Sequence, residues 1–391
     1  MSGALSSIVG LGKSGLSRSP IGSARCLAAA AVQDAIANAG LEVEGIDGLL
    51  INQSSLAPAG SLPLQMMDDI GLSGLRLLSQ MEGKGASVLQ MVQLATMAIR
   101  QGMASTVACV FADAPLVAGQ GGGQSYQNEA PLTGIAGWEG QYGLYGPAAS
   151  YALATQRYMH DFQVTELQLA QYPIACRKWA ALNPAALLHK PLDLEGYLAS
   201  RYIAEPIRVF DCAYPVNGAI AVIVSSVEAA ADSPHPPVYV HGMGQGHSTI
   251  RRLAGVADEH QTAGSLAAQG VFRMAGASPA DVTLCELYDA FSFCAVAALE
   301  DYGLCARGEG AVFIASSATS PGGRLPVNTG GGHLACYYMQ GMTPLEEAVV
   351  QARGHGAARQ VAANDLILVN GSGGRLEYHA ALLLSPHLKL G

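Results

Sequence analysis

Apolar residues fall along this chain in two alternating kinds of run: short continuous blocks, and longer blocks interrupted at helical spacing. Residues 8–12 read as a short strand opening into a loop. Residues 23–40 (SARCLAAAAVQDAIANAG) predict an Ala-rich helix that stops on Gly40, a residue free to take the left-handed conformation of a C-terminal cap. Residues 43–52 carry a strand, residues 85–102 a second helix, and TVACVFADA follows at once as another apolar strand. Alternation of this kind predicts α/β layers whose strands are covered on both faces.

Residues 115–206 break the rhythm. They enter a Gly/Gln-rich stretch and continue with helical patterns around 151–162 and 166–183. This reads as a large inserted loop domain, the kind of excursion that forms lids and binding surfaces. GQGGGQ at 119–124 matches no phosphate-binding spacing and reads as a mobile loop. Residues 219–226 (AIAVIVSS) then form a β-prone run. A second half begins near residue 237, with a helix over 266–276, an acidic spacer and a strand inside ASPADVTLCELYDAF. Helix, Ala-Gly cap, acidic turn and strand recur in the order of the first half, with Gly40 and Gly276 standing 236 residues apart. A duplicated α/β unit fits this repetition. The expected division is 1–236, with the loop domain at about 115–206, and 237–391.

Composition narrows the class. Half of the 391 residues are hydrophobic and 13% are charged, which excludes a disordered chain. So little charge predicts surface covered by other protein, and hence an oligomer. The net charge of −9 and the lack of a Lys/Arg run give no footprint for nucleic acid. No signal-peptide pattern and no apolar run of membrane-spanning length is visible, so a cytoplasmic protein is expected. Eight scattered cysteines form no CxxC pair and no zinc-ribbon spacing, so no metal site is expected and the thiols read as reduced, mostly buried hydrophobes.

Three segments carry a resemblance: residues 201–225, residues 285–310 with Leu287-Tyr288-Asp289, and residues 321–354 with Asn328-x-x-Gly331-Gly332. Together with Asn183-Pro184 they resemble the thiolase superfamily, in particular the sterol-carrier-protein-type thiolases and thiolase-like lipid-transfer proteins. The resemblance implies two similar halves, each a five-stranded mixed sheet, in α-β-α-β-α layers with a loop domain excursion. It also implies that the thiolase chemistry is missing. Gly85, in Glu82-Gly83-Lys84-Gly85-Ala86-Ser87, stands where a thiolase keeps its nucleophilic cysteine. Tyr338 stands where it keeps its histidine, and Asn370 where it keeps a second cysteine. Within the superfamily this pattern resembles the thiolase-like aldolases of bacterial steroid side-chain degradation, whose two catalytic tyrosines carry over onto Tyr288 and Tyr338.

The activity so implied is retro-aldol cleavage of a β-hydroxyacyl-CoA to a ketone or aldehyde and a shorter acyl-CoA. Two positioned acid/base groups and oxyanion donors suffice, with no covalent nucleophile and no bound cofactor beyond the coenzyme A thioester itself. An ordinary tyrosine titrates near pH 10, so one acting as base needs a lowered pKa or a water relay. Amide groups at Gly85 are candidates for the enolate oxygen. His333 is the rival acid/base group, with packing as its plainer role. Asp289 either orients Tyr288 or makes a structural hydrogen bond, Lys84 is either solvated or a contact for CoA phosphate, Cys336 reads as a buried thiol, and Tyr337 is expected to point elsewhere. Two other functions compete: an acyltransferase with a non-standard nucleophile such as Ser87, and a non-catalytic acyl-CoA-binding subunit. The resemblance further implies a homodimer through the strand near 107–112 and a small OB-fold partner, often with a zinc ribbon. Trp138, Tyr142 and Tyr145 in the inserted region permit a bulky hydrophobic substrate.

Overall fold

The computed structural model describes residues 3–52, 62–116, 118–119, 133–144, 146–248 and 260–391. The first half runs β1 (Ser6–Lys13), α1 (Ala24–Asn38), β2 (Gly48–Asn52), α2 (Leu62–Ile70), β3 (Leu77–Met81), α3 (Ser87–Arg100) and β4 (Thr106–Asp113). The excursion then supplies α4 (Gly134–Gly140), α5 (Pro147–Phe162), α6 (Glu166–Leu169), α7 (Gln171–Ala180), α8 (Leu194–Leu198) and the hairpin β5 (Tyr202–Ala204) and β6 (Ile207–Arg208), before β7 (Gly218–Ser225) rejoins the sheet. The second half contains β8 (Val238–His247), α9 (Gly264–Ala275), β9 (Leu284–Glu286), α10 (Ser292–Asp301), α11 (Gly310–Ala315), α12 (Met342–Ala352), β10 (Ile367–Gly373) and β11 (Tyr378–Ser385).

The strands lie in the order β3-β2-β4-β7-β1-β8-β11-β10-β9. The first half contributes β3-β2-β4-β7-β1. The second contributes its mirror order, with a single parallel bridge, Cys285 to Val327, in the place that β3 fills in the first. The duplication read from the repeat is therefore present in the topology, although the second half has four full strands and a bridge rather than five. β1 joins β8 through three residue pairs, Ser6–Val240, Ser7–Tyr239 and Ile8–Val238. α1 and α2 cover one face of the first half's strands. α3 and α12 touch strands of both halves and form the central layer, and α9 lies on the outer face of β8 and β11.

Glycine and alanine set how closely these layers approach. A Cβ on Gly12 of β1 would lie 2.1 Å from the Ala35 nitrogen of α1, and one on Gly244 of β8 would lie 2.0 Å from the Ala267 carbonyl oxygen of α9. Each half thus seats an Ala-rich helix directly on a glycine-bearing strand. Part of the low-charge composition is accounted for by this internal packing.

Two expectations change. β4 and β7 are buried at every position, and β4 is paired on both edges, with β2 and with β7. It has no free edge for a second copy, so the strand near 107–112 cannot carry the dimer contact. Among the described residues the unpaired edge on this side is that of β3. The second helix begins at Ser87, because residues Lys84–Ala86 form a 3₁₀ turn that enters it. Most of the 119–124 loop, and Tyr145, lie outside the described residues. Among those described, no helix is long and apolar enough to cross a membrane.

Candidate active site

The site forms where the starts of the two central helices meet. In the first half, residues 82–86 connect β3 to α3 in a tight turn with Lys84 at φ 52°. In the second, residues 328–341 occupy the corresponding place before α12. They make a longer path, with Asn328 at φ 53°, Gly331 at φ 104°, and a single π turn over Gly332–Cys336. A Cβ on Gly341 would lie 2.6 Å from the Gly85 carbonyl oxygen, so the two connections touch.

Tyr288 and Tyr338 are brought together here. Their phenol oxygens are 2.8 Å apart and their rings cross edge to face. Tyr288 arrives just beyond β9, and its main-chain N–H donates to Asn370 Oδ1 at 2.8 Å. The preceding Leu287 N–H donates to Asn328 Oδ1 at 2.6 Å, so two asparagines, one on β10 and one in the long connection, hold this segment. The Tyr338 N–H donates to the Tyr214 carbonyl at 2.8 Å. Tyr288 is buried whereas Tyr338 is only partly so, which makes Tyr338 the phenol nearer solvent. Burial pushes both phenols above the usual tyrosine pKa, and the charge that Tyr338 or Tyr151 would carry raises Tyr288 further. At neutral pH they are two neutral hydroxyls in contact.

Gly85 explains why Tyr288 fits. A Cβ there would lie 1.9 Å from the Ser372 carbonyl oxygen and 2.2 Å from Tyr288 Cε2. The space a nucleophilic side chain would need is filled by the Tyr288 ring. Asn370 is a support for the Tyr288 backbone.

His333 is fully buried, with its ring edge to face against both tyrosines, at centroid distances of 4.8 and 5.0 Å. Its Nδ1 accepts the Asp289 N–H at 3.1 Å and its Nε2 lies 2.7 Å from the Gln340 carbonyl. The neutral ring with its hydrogen on Nε2 satisfies both contacts, which leaves neither nitrogen to exchange protons with a substrate. Nδ1 also lies 3.0 Å from Asp289 Oδ1, but that oxygen already accepts the His333 N–H at 2.8 Å. Asp289 does not touch the Tyr288 hydroxyl. Its other oxygen accepts the Tyr172 hydroxyl at 3.0 Å, and Tyr172 in turn accepts from Asn328 Nδ2 at 2.7 Å.

The remaining candidates separate clearly. Ser87 Oγ donates to the Lys84 carbonyl and accepts the Gly83 N–H, both at 2.7 Å. It thus caps the turn and has no basic partner in these contacts. Lys84 is exposed and 3.3 Å from Glu82. Cys336 is buried, in contact with Asn183 Nδ2 at 3.4 Å, and burial together with Glu346 and Glu347 pushes its thiol well up. Tyr337 turns away, its hydroxyl donating to Glu346. A cavity of about 10 Å³, room for about one water, lies behind this layer beside Glu286, Asp289, Glu346 and Glu347. Among the described residues no group of three or more His, Cys, Asp or Glu side chains is arranged to hold a metal ion. Two groups at the site escape a sequence reading. Tyr151, on α5, and Cys294, in the first turn of α10, both lie close enough for their charged forms to act on the phenol pair. Only an unremarkable buried helix face marks Tyr151 in the sequence.

Comparison with known proteins places this geometry. A family profile described as Thiolase C-terminal domain-like matches residues 244–386. A steroid side-chain-cleaving aldolase of Thermomonospora curvata is 32% identical over 94% of this chain and 95% of its own length. A 17-hydroxy-3-oxo-4-pregnene-20-carboxyl-CoA lyase of Mycobacterium tuberculosis is 33% identical over 94% of this chain and 96% of its own. The solved structure of an Ltp2-ChsH2(DUF35) aldolase superposes with a TM-score of 0.87, at 32% identity, over 98% of both chains.

Proposed function

The chain belongs to the thiolase-like family, and from that premise we propose that it is a carbon–carbon lyase that cleaves a β-hydroxyacyl-CoA by a retro-aldol reaction. The observation that carries this reading is the 2.8 Å contact between Tyr288 and Tyr338, with the Tyr288 ring in the space a thiolase nucleophile at Gly85 would need. Acyl transfer through an enzyme thioester has no side chain at that position to start from.

The neutral state of both phenols dictates how they act. Tyr338, nearer solvent, accepts the β-hydroxyl proton on its oxygen while passing its own proton to Tyr288. Tyr288, against Gly85, passes its proton to Cα. The transfers are concerted: as the Cα–Cβ bond breaks, its electron pair passes through an enolate-like transition state into the new Cα–H bond, so neither phenol ever holds a second proton, and Cβ becomes the carbonyl carbon of the released ketone or aldehyde. Each phenol gains and loses one proton, so neither has to be ionised beforehand, in contrast to the lowered pKa or water relay expected of a tyrosine base. The Gly83, Lys84, Ala86 and Ser87 N–H groups are engaged within the turn, by Ser87 Oγ, Glu82 and the Gly83 and Lys84 carbonyls, so in this reading the Gly85 N–H is the amide that faces the enolate oxygen.

The names of the two relatives support a bulky hydrophobic acyl group such as a steroid side chain. The exposed Trp138 and Tyr142, with rings 5.3 Å apart, are compatible with one. The structural relative pairs an aldolase with a DUF35 protein, and a small partner of that kind, possessing an OB-fold, is proposed here too. A homodimer is proposed with it, using the open β3 edge.

The decisive assay incubates the chain, alone and with a co-purified small partner, with steroidal and aromatic β-hydroxyacyl-CoAs. The expected products are a ketone or aldehyde and a shorter acyl-CoA. Covalent labelling of the protein by a radioactive acyl-CoA, without carbonyl release, overturns the reading in favour of an acyltransferase. Binding with neither outcome favours a non-catalytic subunit.

A further inference from the structure

The inserted region sends Tyr151 toward the phenol pair. Tyr151, at the start of the second turn of α5, is 4% exposed. Its ring stacks on Phe291 with centroids 4.5 Å apart and planes 27° from parallel, and Phe291 immediately precedes α10, three residues after Tyr288. Its hydroxyl donates to the Gly374 carbonyl at 3.2 Å, and the Cys294 thiol lies against it. One turn later Thr155 Oγ1 donates back to the Tyr151 carbonyl at 2.7 Å, and a further turn on Tyr158 packs edge to face on Phe293 and donates to Glu300. Tyr151 and Tyr158, two turns apart, thus fasten α5 along α10, with Tyr151 at the end nearest the phenol pair. The Arg375–Glu139 ion pair ties α4 to the same β10–β11 turn that Tyr151 grips at Gly374.

We propose that Tyr151 is a positioning residue of this site: its ring closes one side of the Tyr288–Tyr338 pair against water, and its hydroxyl fixes the Gly373–Gly374 turn beside Gly85. The proposal rests on the retro-aldol reading for its kinetic arm only. A water admitted here competes for the phenol–phenol hydrogen bond and solvates a phenolate, which lowers the pKa of the pair toward the ordinary tyrosine value near 10. The titratable groups that face the pair are Tyr151 from α5, Cys294 from α10, Asp113 from β4 and His333 from the π turn. Only Tyr151 comes from the inserted region.

The test uses the full chain, with its partner if one co-purifies. In protein labelled with [13Cζ]tyrosine, the Tyr288 and Tyr338 signals are assigned by Tyr288→Phe and Tyr338→Phe and followed with pH. Tyr151→Ala is expected to move the ionisation of the pair down by about one pH unit or more, and to bring the alkaline limb of the kcat profile down with it. kcat at pH 7 should fall about 10–100-fold with KM changed far less. Tyr151→Phe keeps the ring, so the titration should stay unmoved and kcat should fall less than about fivefold. If Tyr151→Ala fails to fold, Tyr151→Leu carries the same test. A folded Ala or Leu variant with the wild-type titration overturns the proposal. A chain that cleaves no β-hydroxyacyl-CoA overturns the functional reading instead, and the titration still decides the role of Tyr151.

Discussion

The two connections that lead into the central helices started from one plan and now do opposite things. Residues 82–86, before α3, make a short turn and give the site backbone alone. Residues 328–341, before α12, wind through two left-handed glycines and a π turn to deliver His333 and Tyr338. Because the two halves repeat one topology, these connections meet at one point, Gly341 against Gly85. The space a side chain on Gly85 would need is the space that Tyr288 takes from just beyond β9. The bare turn in one half and the long path in the other thus bring Tyr288 and Tyr338 to one point.

The largest effect follows from removing the phenols. Tyr338→Phe and Tyr288→Phe each keep the ring and its packing against His333 but break the 2.8 Å contact. Each is expected to lower kcat by about 10²–10⁴-fold, the usual range for losing an acid/base group, with thermal stability nearly unchanged. The double variant should cost little more than either single one, since the two hydroxyls act as one relay. Additive losses in a double-mutant cycle would mean that they work separately. Next in size is Gly85→Cys, which restores a thiolase-type side chain to the short connection. The added Cβ meets the Ser372 carbonyl and the Tyr288 ring, so the protein should lose about 1–3 kcal/mol and its cleavage activity without gaining thiolysis. A Gly85→Cys chain with unchanged melting temperature and measurable acyl-cysteine formation would break the claim that Tyr288 has filled that space.

Much of this arrangement was legible in the sequence, for reasons that differ from place to place. β4 and β7 are covered on both faces, so between their polar end residues their runs are apolar and announce themselves. The duplication showed through Gly40 and Gly276, which cap α1 and α9 with positive φ of 69° and 67°. The resemblance points to Tyr338 by its distance from Asn328 and to Tyr288 by its Leu-Tyr-Asp setting, and the structure adds that their hydroxyls touch. Edge positions are not legible: apolar character reports burial and not pairing, so nothing in the sequence corrects the resemblance's choice of the strand near 107–112 when, among the described residues, the open edge on that side belongs to β3. Tyr151 was invisible because its partners, Phe291 and Gly374, lie 140 and 223 residues away in sequence. The sequence leaves Asp289 open between orienting Tyr288 and making a structural hydrogen bond; the structure shows the second, its two oxygens accepting the His333 N–H from the π turn and the Tyr172 hydroxyl from α7.

His333 tests the long connection more gently. Its two ring nitrogens tie Asp289 to Gln340 and so fix the path on which Tyr338 sits. His333→Phe keeps an aromatic ring and leaves the Asp289 N–H and the Gln340 carbonyl without partners. The expected cost is about 1–3 kcal/mol of stability, measured by urea unfolding, with kcat lowered less than in Tyr338→Phe. The acidic limb of the kcat profile should not move, because no proton passes through this ring. Disappearance of an acidic limb in His333→Phe would make His333 the acid/base group and demote the phenols.

The smallest effect concerns the outer faces of the two halves. The face of the first half under α1 and α2 is apolar, whereas the corresponding face of the second buries His379 and Asp301, both in contact with Thr262 Oγ1. Burial lowers the His379 pKa to about 4 and raises that of Asp301 to about 6. The signs oppose. As pH falls from 6.5 toward 4 the unfolded chain protonates its histidine before the folded one does, which destabilises the fold. Over pH 6 to 4 the folded state protonates Asp301 before the unfolded one does, which stabilises it. Between pH 7 and 5 the wild type should therefore lose less than about 1 kcal/mol on this account. His379→Gln should turn that small loss into a gain of about 1 kcal/mol, and Asp301→Asn should deepen it to about 2 kcal/mol. Urea midpoints at the two pH values distinguish these directions. Parallel pH dependence in wild type and both variants would show that this buried pair, unlike the two helix starts, leaves the halves equivalent.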